Sequence, residues 1–162
     1  MTATATLTLL PLGLLVGAAE FAVCGLLSTI VVGAVRREPV DESNWLALVH
    51  SDVLGPGRDL ARRRSWPLVV AALVLFGLVH EVLLRFGAFT LAGGGALAVP
   101  VSVGLSLLVV VVPVRDRGVE ARCVAAVVGA ITGTVHAVLY ASERSVWPLA
   151  LAEGAFLVLG TG

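Results

Sequence analysis

The chain has 162 residues, 58% of them hydrophobic and 14% charged, with a mean hydropathy of +1.01 and a formal net charge of zero. A soluble domain carries about 25% charged residues, so this composition cannot cover a water-facing surface and lipid is its expected solvent. The neutral balance gives no electrostatic basis for nucleic-acid binding, and Cys24 and Cys123 match neither a disulfide framework nor a zinc spacing.

In chain order, the opening MTATATLTLLPLGLL is apolar but lacks the basic n-region of a signal peptide, so residues 7–35 read as a retained first span. Residues 36–65 form the only sizeable polar stretch, expected as a cytoplasmic loop. Within it DESNWLALVHSDVL spaces Trp45, Val49 and Val53 by four, which predicts a short amphipathic helix on the membrane surface, with His50 a solvated bystander. GPG at 55–57 is expected to break that helix, and RDLARRR to lead back into the bilayer. Further spans follow at about 66–88, 96–114, 119–141 and 146–161, with the GGG of 93–95 as a turn. The last is short, so four spans plus a re-entrant or surface piece stays open. Trp66 and Trp147, each followed by Pro, open the second and fifth spans as interfacial anchors do.

The fold class expected is therefore all-α: a polytopic transmembrane helical bundle of about five spans in one integral membrane domain over 1–162. Arg36, Arg37, Arg58, Arg62, Arg63, Arg64, Arg115, Arg117 and Arg122 fall on one side of it, against Arg144 and Arg85 toward the other. That asymmetry predicts an outside N-terminus and a cytoplasmic C-terminus. The absence of Lys reads as coding bias in a GC-rich prokaryotic genome, which points to a prokaryotic plasma membrane.

Gly13 with Gly17, and Gly129 with Gly133, have the small-residue spacing that lets membrane helices approach closely. Six ionisable residues lie inside spans: Glu20, His80, Glu81, Arg85, His136 and Glu153. Charges cost roughly 2.5–3.5 kcal/mol at mid-bilayer on insertion scales, so such groups face a protein interior and mark function. At a rise of about 1.5 Å per residue, His80, Glu81, His136 and Glu153 all come to about 10 Å below the outer surface. Glu20 lies one to two turns deeper, and whether it joins them is open. Glu81 and Arg85 are four apart in the order that favours an ion pair, while His80 points about 100° away from Glu81 round the helix.

HEVLLRF at 80–86 resembles the first motif, EExxxR, of the CPBP intramembrane proteases, relatives of the type II CAAX prenyl endopeptidases. GAITGTVHAVLYASERSVWPLALAEGAF at 129–156 resembles that family's late stretch, where a Gly-rich helix ends in Tyr and a Trp-Pro segment leads to a helix carrying His. The likeness implies a catalytic centre of paired glutamates and two histidines, in which a glutamate activates the water that attacks the peptide bond, and Glu81 matches the second glutamate and Arg85 the arginine. His80 stands where the first glutamate is expected and Glu153 where the final histidine is, and no FxxxH precedes His136. The resemblance thus implies either a degenerate, inactive member or one with a rearranged His and Glu set.

Three function classes fit these residues. In an enzyme, Glu81, His80, Arg85, His136 and Glu153 form the catalytic set, in which His80, Glu81, His136 and Glu153 bind or polarise a water with Glu81 as general base, and a divalent metal is an allowed cofactor. In a transporter subunit they form a proton or ion relay, or His80 and His136 hold a haem, and so few spans would then need a homo-oligomer or a partner subunit. In a structural subunit they are glue between helices.

Overall fold

The structure, a computed structural model, describes residues 3–40, 48, 49, 51 and 53–161, with the side chains of residues 3–10 and Pro56 outside that description. It consists of six helices and no strand among the described residues: α1 (Ala3–Arg36), α2 (Gly55–Arg63), α3 (Trp66–Leu91), α4 (Ala98–Val111), α5 (Val119–Glu143) and α6 (Trp147–Leu159). Three stretches, Pro11–Arg36, Trp66–Leu91 and Val119–Glu143, are long and apolar enough to cross a membrane. The other two expected spans are shorter. Ala98–Val114, including a 3-10 turn over Val112–Val114, and Trp147–Leu159 fall short of a hydrocarbon core of about 30 Å at about 1.5 Å per residue.

The helices close into a ring. α4 packs on α5, α5 on α1, α1 on α6, α6 on α3, and the last turns of α3 pack back on α4. With no hydrophobic drive between helices in lipid, such packing depends on close backbone approach, and the glycines supply it. A Cβ on Gly13 would meet the Pro148 carbonyl at 2.6 Å, and one on Gly17 would run into the Ala152 carbonyl, so both face α6. Gly133 faces Ser106 of α4 at 2.9 Å, and Gly77 of α3 faces the Ala150 carbonyl of α6 at 2.9 Å.

Contacts fix which ends lie together. At one end Arg36, finishing α1, donates from Nε and Nη2 to both carboxylate oxygens of Glu120, starting α5, at 2.9 and 2.8 Å. Leu54 packs on Gly160 beyond α6 at the same end. At the other end the Arg144 guanidinium lies 5.5 Å from the Phe89 ring, joining the ends of α5 and α3. The arginine-rich connections thus gather at one end of the bundle.

Two features of the 36–65 connection differ from expectation. Trp45 and His50 lie outside the described residues. Leu48, Val49, Ser51, Val53 and Leu54 form turns, and Leu48 and Leu54 are fully buried against Cys24, Val32, Val124, Val128 and Phe156. Those described residues dock into the bundle end. GPG opens a helix instead of breaking one, because Pro at the first helical turn gives up an N–H that has no intrahelical partner and has its φ already set.

The apolar core divides into two clusters. One, around Cys24, Leu48, Leu54 and Phe156, fills the arginine-rich end; the other, Phe89, Ala98, Ala137, Tyr140 and Leu149, fills the opposite end. The ionisable residues form a polar layer between them.

Candidate functional site

The layer starts on α3. Its buried positions include a series spaced by four, Val69, Leu73, Gly77, Glu81, Arg85 and Phe89, joined after Glu81 by Leu84 and Ala88. In a pure α-helix such a stripe drifts by about 40° per step. A π-helical stretch over Val82–Gly87 interrupts the helix directly after Glu81, and its wider turn takes back part of that drift, keeping Arg85 and Phe89 on the inward face. Single π turns inside α-helices are frequent at functional sites.

Glu81 and Arg85, predicted as a pair, are one. Arg85 Nε donates to Glu81 Oε2 at 3.0 Å, and the two side chains are 1% and 0% exposed. A buried ion pair is tolerable only when its remaining groups are satisfied. Arg85 Nη1 donates to the hydroxyls of Ser102 and Ser106 on α4, each at 2.7 Å. Those hydroxyls in turn donate to the carbonyls of Leu84 and Ser102. Arg85 thereby ties α3 to α4.

The other carboxylate oxygen of Glu81 receives His136 of α5, with Nδ1 at 2.8 Å, while Nε2 of the same ring lies 3.1 Å from Glu20 Oε2 of α1. Both ring nitrogens of His136 are therefore engaged, and the residue is fully buried. It has no nitrogen free for an iron, so the expected pairing of His80 and His136 about a haem is not available in this arrangement.

His80 and Glu153 differ from these groups in access. Their side chains are 13% and 12% exposed. His80 Nδ1 sits 3.6 Å from Glu153 Oε1 and 3.7 Å from Glu81 Oε1, beyond hydrogen-bond distance, and has no hydrogen-bond partner among the described residues. Phe76, one turn away, stacks on the His80 ring at 5.6 Å. The two residues stand at the polar end of a cavity of about 180 Å³ that also touches Thr132 and Ser106 and continues past Val110 and Phe156 to Pro113, Val114 and Val53. It is lined by α3 and α6 on one side and α4 and α5 on the other and runs toward the arginine-rich end. A cavity of this size with several polar groups at one end accepts ordered water.

His80, Glu81 and Glu153 each bring one donor atom within 4.8 Å of the others. One imidazole and two carboxylates at that spacing fit a divalent cation after small side-chain shifts, since ligand bonds to such ions are about 2.0–2.2 Å.

All five residues singled out by sequence thus lie in one connected centre, in two roles. His80 and Glu153 face the cavity; Glu81, Arg85 and His136 are closed off behind them. Glu20, left open by depth counting, joins through His136. Ser102 and Ser106 were not anticipated, although a signal existed. They are the only polar side chains in AVPVSVGLSLLVVV, and a four-residue spacing puts them on one helix face.

Fold and site together define an all-helical bundle with a buried His/Glu/Arg centre reached by an internal cavity. Comparison with protein-family models, curated proteins and solved structures finds no match to this chain.

Proposed function

We propose that this chain is a five-span prokaryotic plasma-membrane protein, N-terminus outside and arginine-rich end in the cytoplasm. Its centre is a divergent CPBP-like hydrolytic site with a rearranged His and Glu set. The observation that carries this reading is the approach of His80 to Glu153 at 3.6 Å beside the cavity. By the resemblance, His80 holds the place of a glutamate and Glu153 that of a histidine, so the two departures from the family pattern are neighbours and exchange one imidazole for one carboxylate across the same gap.

In this reading Glu153 takes a proton from a cavity water. The water oxygen bonds to a peptide carbonyl carbon, the C–N bond breaks as a protonated His80 delivers its proton to the departing amine, and Glu153 passes the proton it took back to His80, so one water is consumed and one acid and one amine leave. Glu81 has both oxygens engaged by Arg85 and His136 and acts by fixing the pair's surroundings; it is not the base. A divalent cation, if bound by His80, Glu81 and Glu153, would supply Lewis-acid polarisation of the water or carbonyl.

The relay alternative uses the chain Glu153, His80, Glu81, His136, Glu20, whose links are 3.6, 3.7, 2.8 and 3.1 Å. That chain ends at Glu20, which is only 3% exposed and borders a second, almost wholly apolar cavity beside Val23, Ile131 and Val135, so transport would need a polar exit made by another copy or a partner subunit.

The test is cleavage of a quenched apolar peptide by the detergent-purified full chain. We expect cleavage that is lost in Glu153→Gln and in His80→Gln; absence of cleavage in the unaltered protein overturns the hydrolytic reading.

A further inference from the structure

The first helix lies outside the stretch that resembles a protease, yet it sends Glu20 into the polar layer. We infer that Glu20 is a positioning residue: it orients the His136 ring, and through that ring holds Glu81 in place behind the His80–Glu153 pair. The catalytic part of this inference rests on the hydrolytic reading above; the positioning part stands on geometry alone.

The geometry is a clamp. His136 reaches Glu20 with one nitrogen at 3.1 Å and Glu81 with the other at 2.8 Å, so the ring is anchored at both of its nitrogens. All three residues are at most 3% exposed, which keeps bulk solvent from competing for those contacts. Histidines that serve a site are commonly held this way, their second nitrogen deciding the orientation of the first. Glu81 needs such a hold. Its Oε2 is fixed by Arg85, itself anchored on Ser102 and Ser106, whereas Oε1 faces His80 and has His136 as its hydrogen-bond partner. Freed from Glu20, the ring has no second anchor, and Oε1 loses its fixed place beside His80.

Helix packing gives Glu20 its reach. Gly13 and Gly17 press α1 onto the Pro148–Ala152 stretch of α6, the helix that carries Glu153. The helix supplying the positioning carboxylate is thus seated on the helix supplying the cavity-facing one, and depth along α1 is set by that seat.

The test compares Glu20→Leu, which fills the space without an acceptor, with Glu20→Gln, whose amide oxygen can still accept from His136. The chain has three histidines, at 50, 80 and 136, so ¹⁵N-labelling of His in the detergent-solubilised full chain gives few ring signals to assign. With Arg ¹⁵N-labelled as well, the Nε signal of Arg85, recognised by its protection from solvent exchange at 1% exposure, reports on Glu81 independently of any activity. We expect Glu20→Leu to shift both the His136 ring and the Arg85 Nε signals, and Glu20→Gln to leave both near their original positions. In the cleavage assay Glu20→Leu should lower kcat by about 10- to 100-fold with KM unchanged, and Glu20→Gln should restore it. A shifted His136 with an unmoved Arg85 signal would make Glu20 a packing residue only, and unmoved His136 would remove the clamp. If the unaltered protein cleaves nothing, the hydrolytic reading fails while the nuclear magnetic resonance result still decides whether Glu20 positions Glu81.

Discussion

Arg85 and Glu81, one turn apart on α3, are joined at 3.0 Å with less than 2% of either side chain exposed, and Arg85 is held from the far side by Ser102 and Ser106. The pair is therefore a bolt between α3 and α4, and its energetic asymmetry is large. Removing one member of a buried pair leaves an uncompensated charge, costing about 3–5 kcal/mol. Arg85→Leu should destabilise the solubilised protein by that order in denaturant unfolding. Arg85→Lys should not rescue it, since a single ammonium cannot serve Glu81 and both serines in the fork geometry of guanidinium.

Ser102→Ala and Ser106→Ala each remove one acceptor from the buried Arg85 Nη1. Each should cost about 1–3 kcal/mol, measured by the same unfolding. An effect below about 0.5 kcal/mol in both would mean that the hydroxyls are not engaged as described.

Much of this centre is legible in the sequence, for reasons that differ by residue. The Glu81–Arg85 pair follows from four-residue spacing alone, and the convergence of His80, Glu81, His136 and Glu153 follows from counting along helices whose ends are marked by Trp66, Trp147 and the connecting glycines. Glu20 does not follow. Its helix runs for 34 residues, longer than a bilayer core requires, so a count from its end cannot give its depth; the seat of Gly13 and Gly17 on α6 does. The docking of Leu48 and Leu54 is equally hidden, because burial of a turn depends on the bundle end that receives it. The π stretch after Glu81 has no local signature in VLLRFG.

Glycine contacts predict a graded series. Gly133→Val places atoms into Ser106 and should part α4 from α5, loosening Arg85 as well. Gly17→Leu should part α1 from α6. A methyl group added at Gly104 would meet nothing within 4 Å, so Gly104→Ala should be neutral or stabilise by up to about 1 kcal/mol through helix propensity. Thermal unfolding in detergent checks all three, and a Gly104→Ala loss comparable to that of Gly133→Val would contradict the packing.

Orientation is testable with single cysteines in a Cys24→Ser, Cys123→Ser background. A cysteine at Arg64 or Arg117 should react with a membrane-impermeant maleimide only in inverted vesicles, and one at Ser142 only in intact cells, as the arginine asymmetry requires. All of these positions are exposed.

The exposed pair Arg36–Glu120 should matter little. Its members are 40% and 43% exposed, and pairs of that kind contribute about 0.2–1 kcal/mol. A double-mutant cycle with Arg36→Ala and Glu120→Ala should return a coupling within that range.

The most direct measurement is a reciprocal exchange at the cavity. His80→Glu and Glu153→His, made singly and together, form a double-mutant cycle on two groups 3.6 Å apart. Each single change puts two like groups at the gap and should abolish peptide cleavage and lower stability, whereas the double change restores one carboxylate and one imidazole and should recover both. If the two single effects simply add in the double variant, His80 and Glu153 do not work as a pair, and the site has been misassigned.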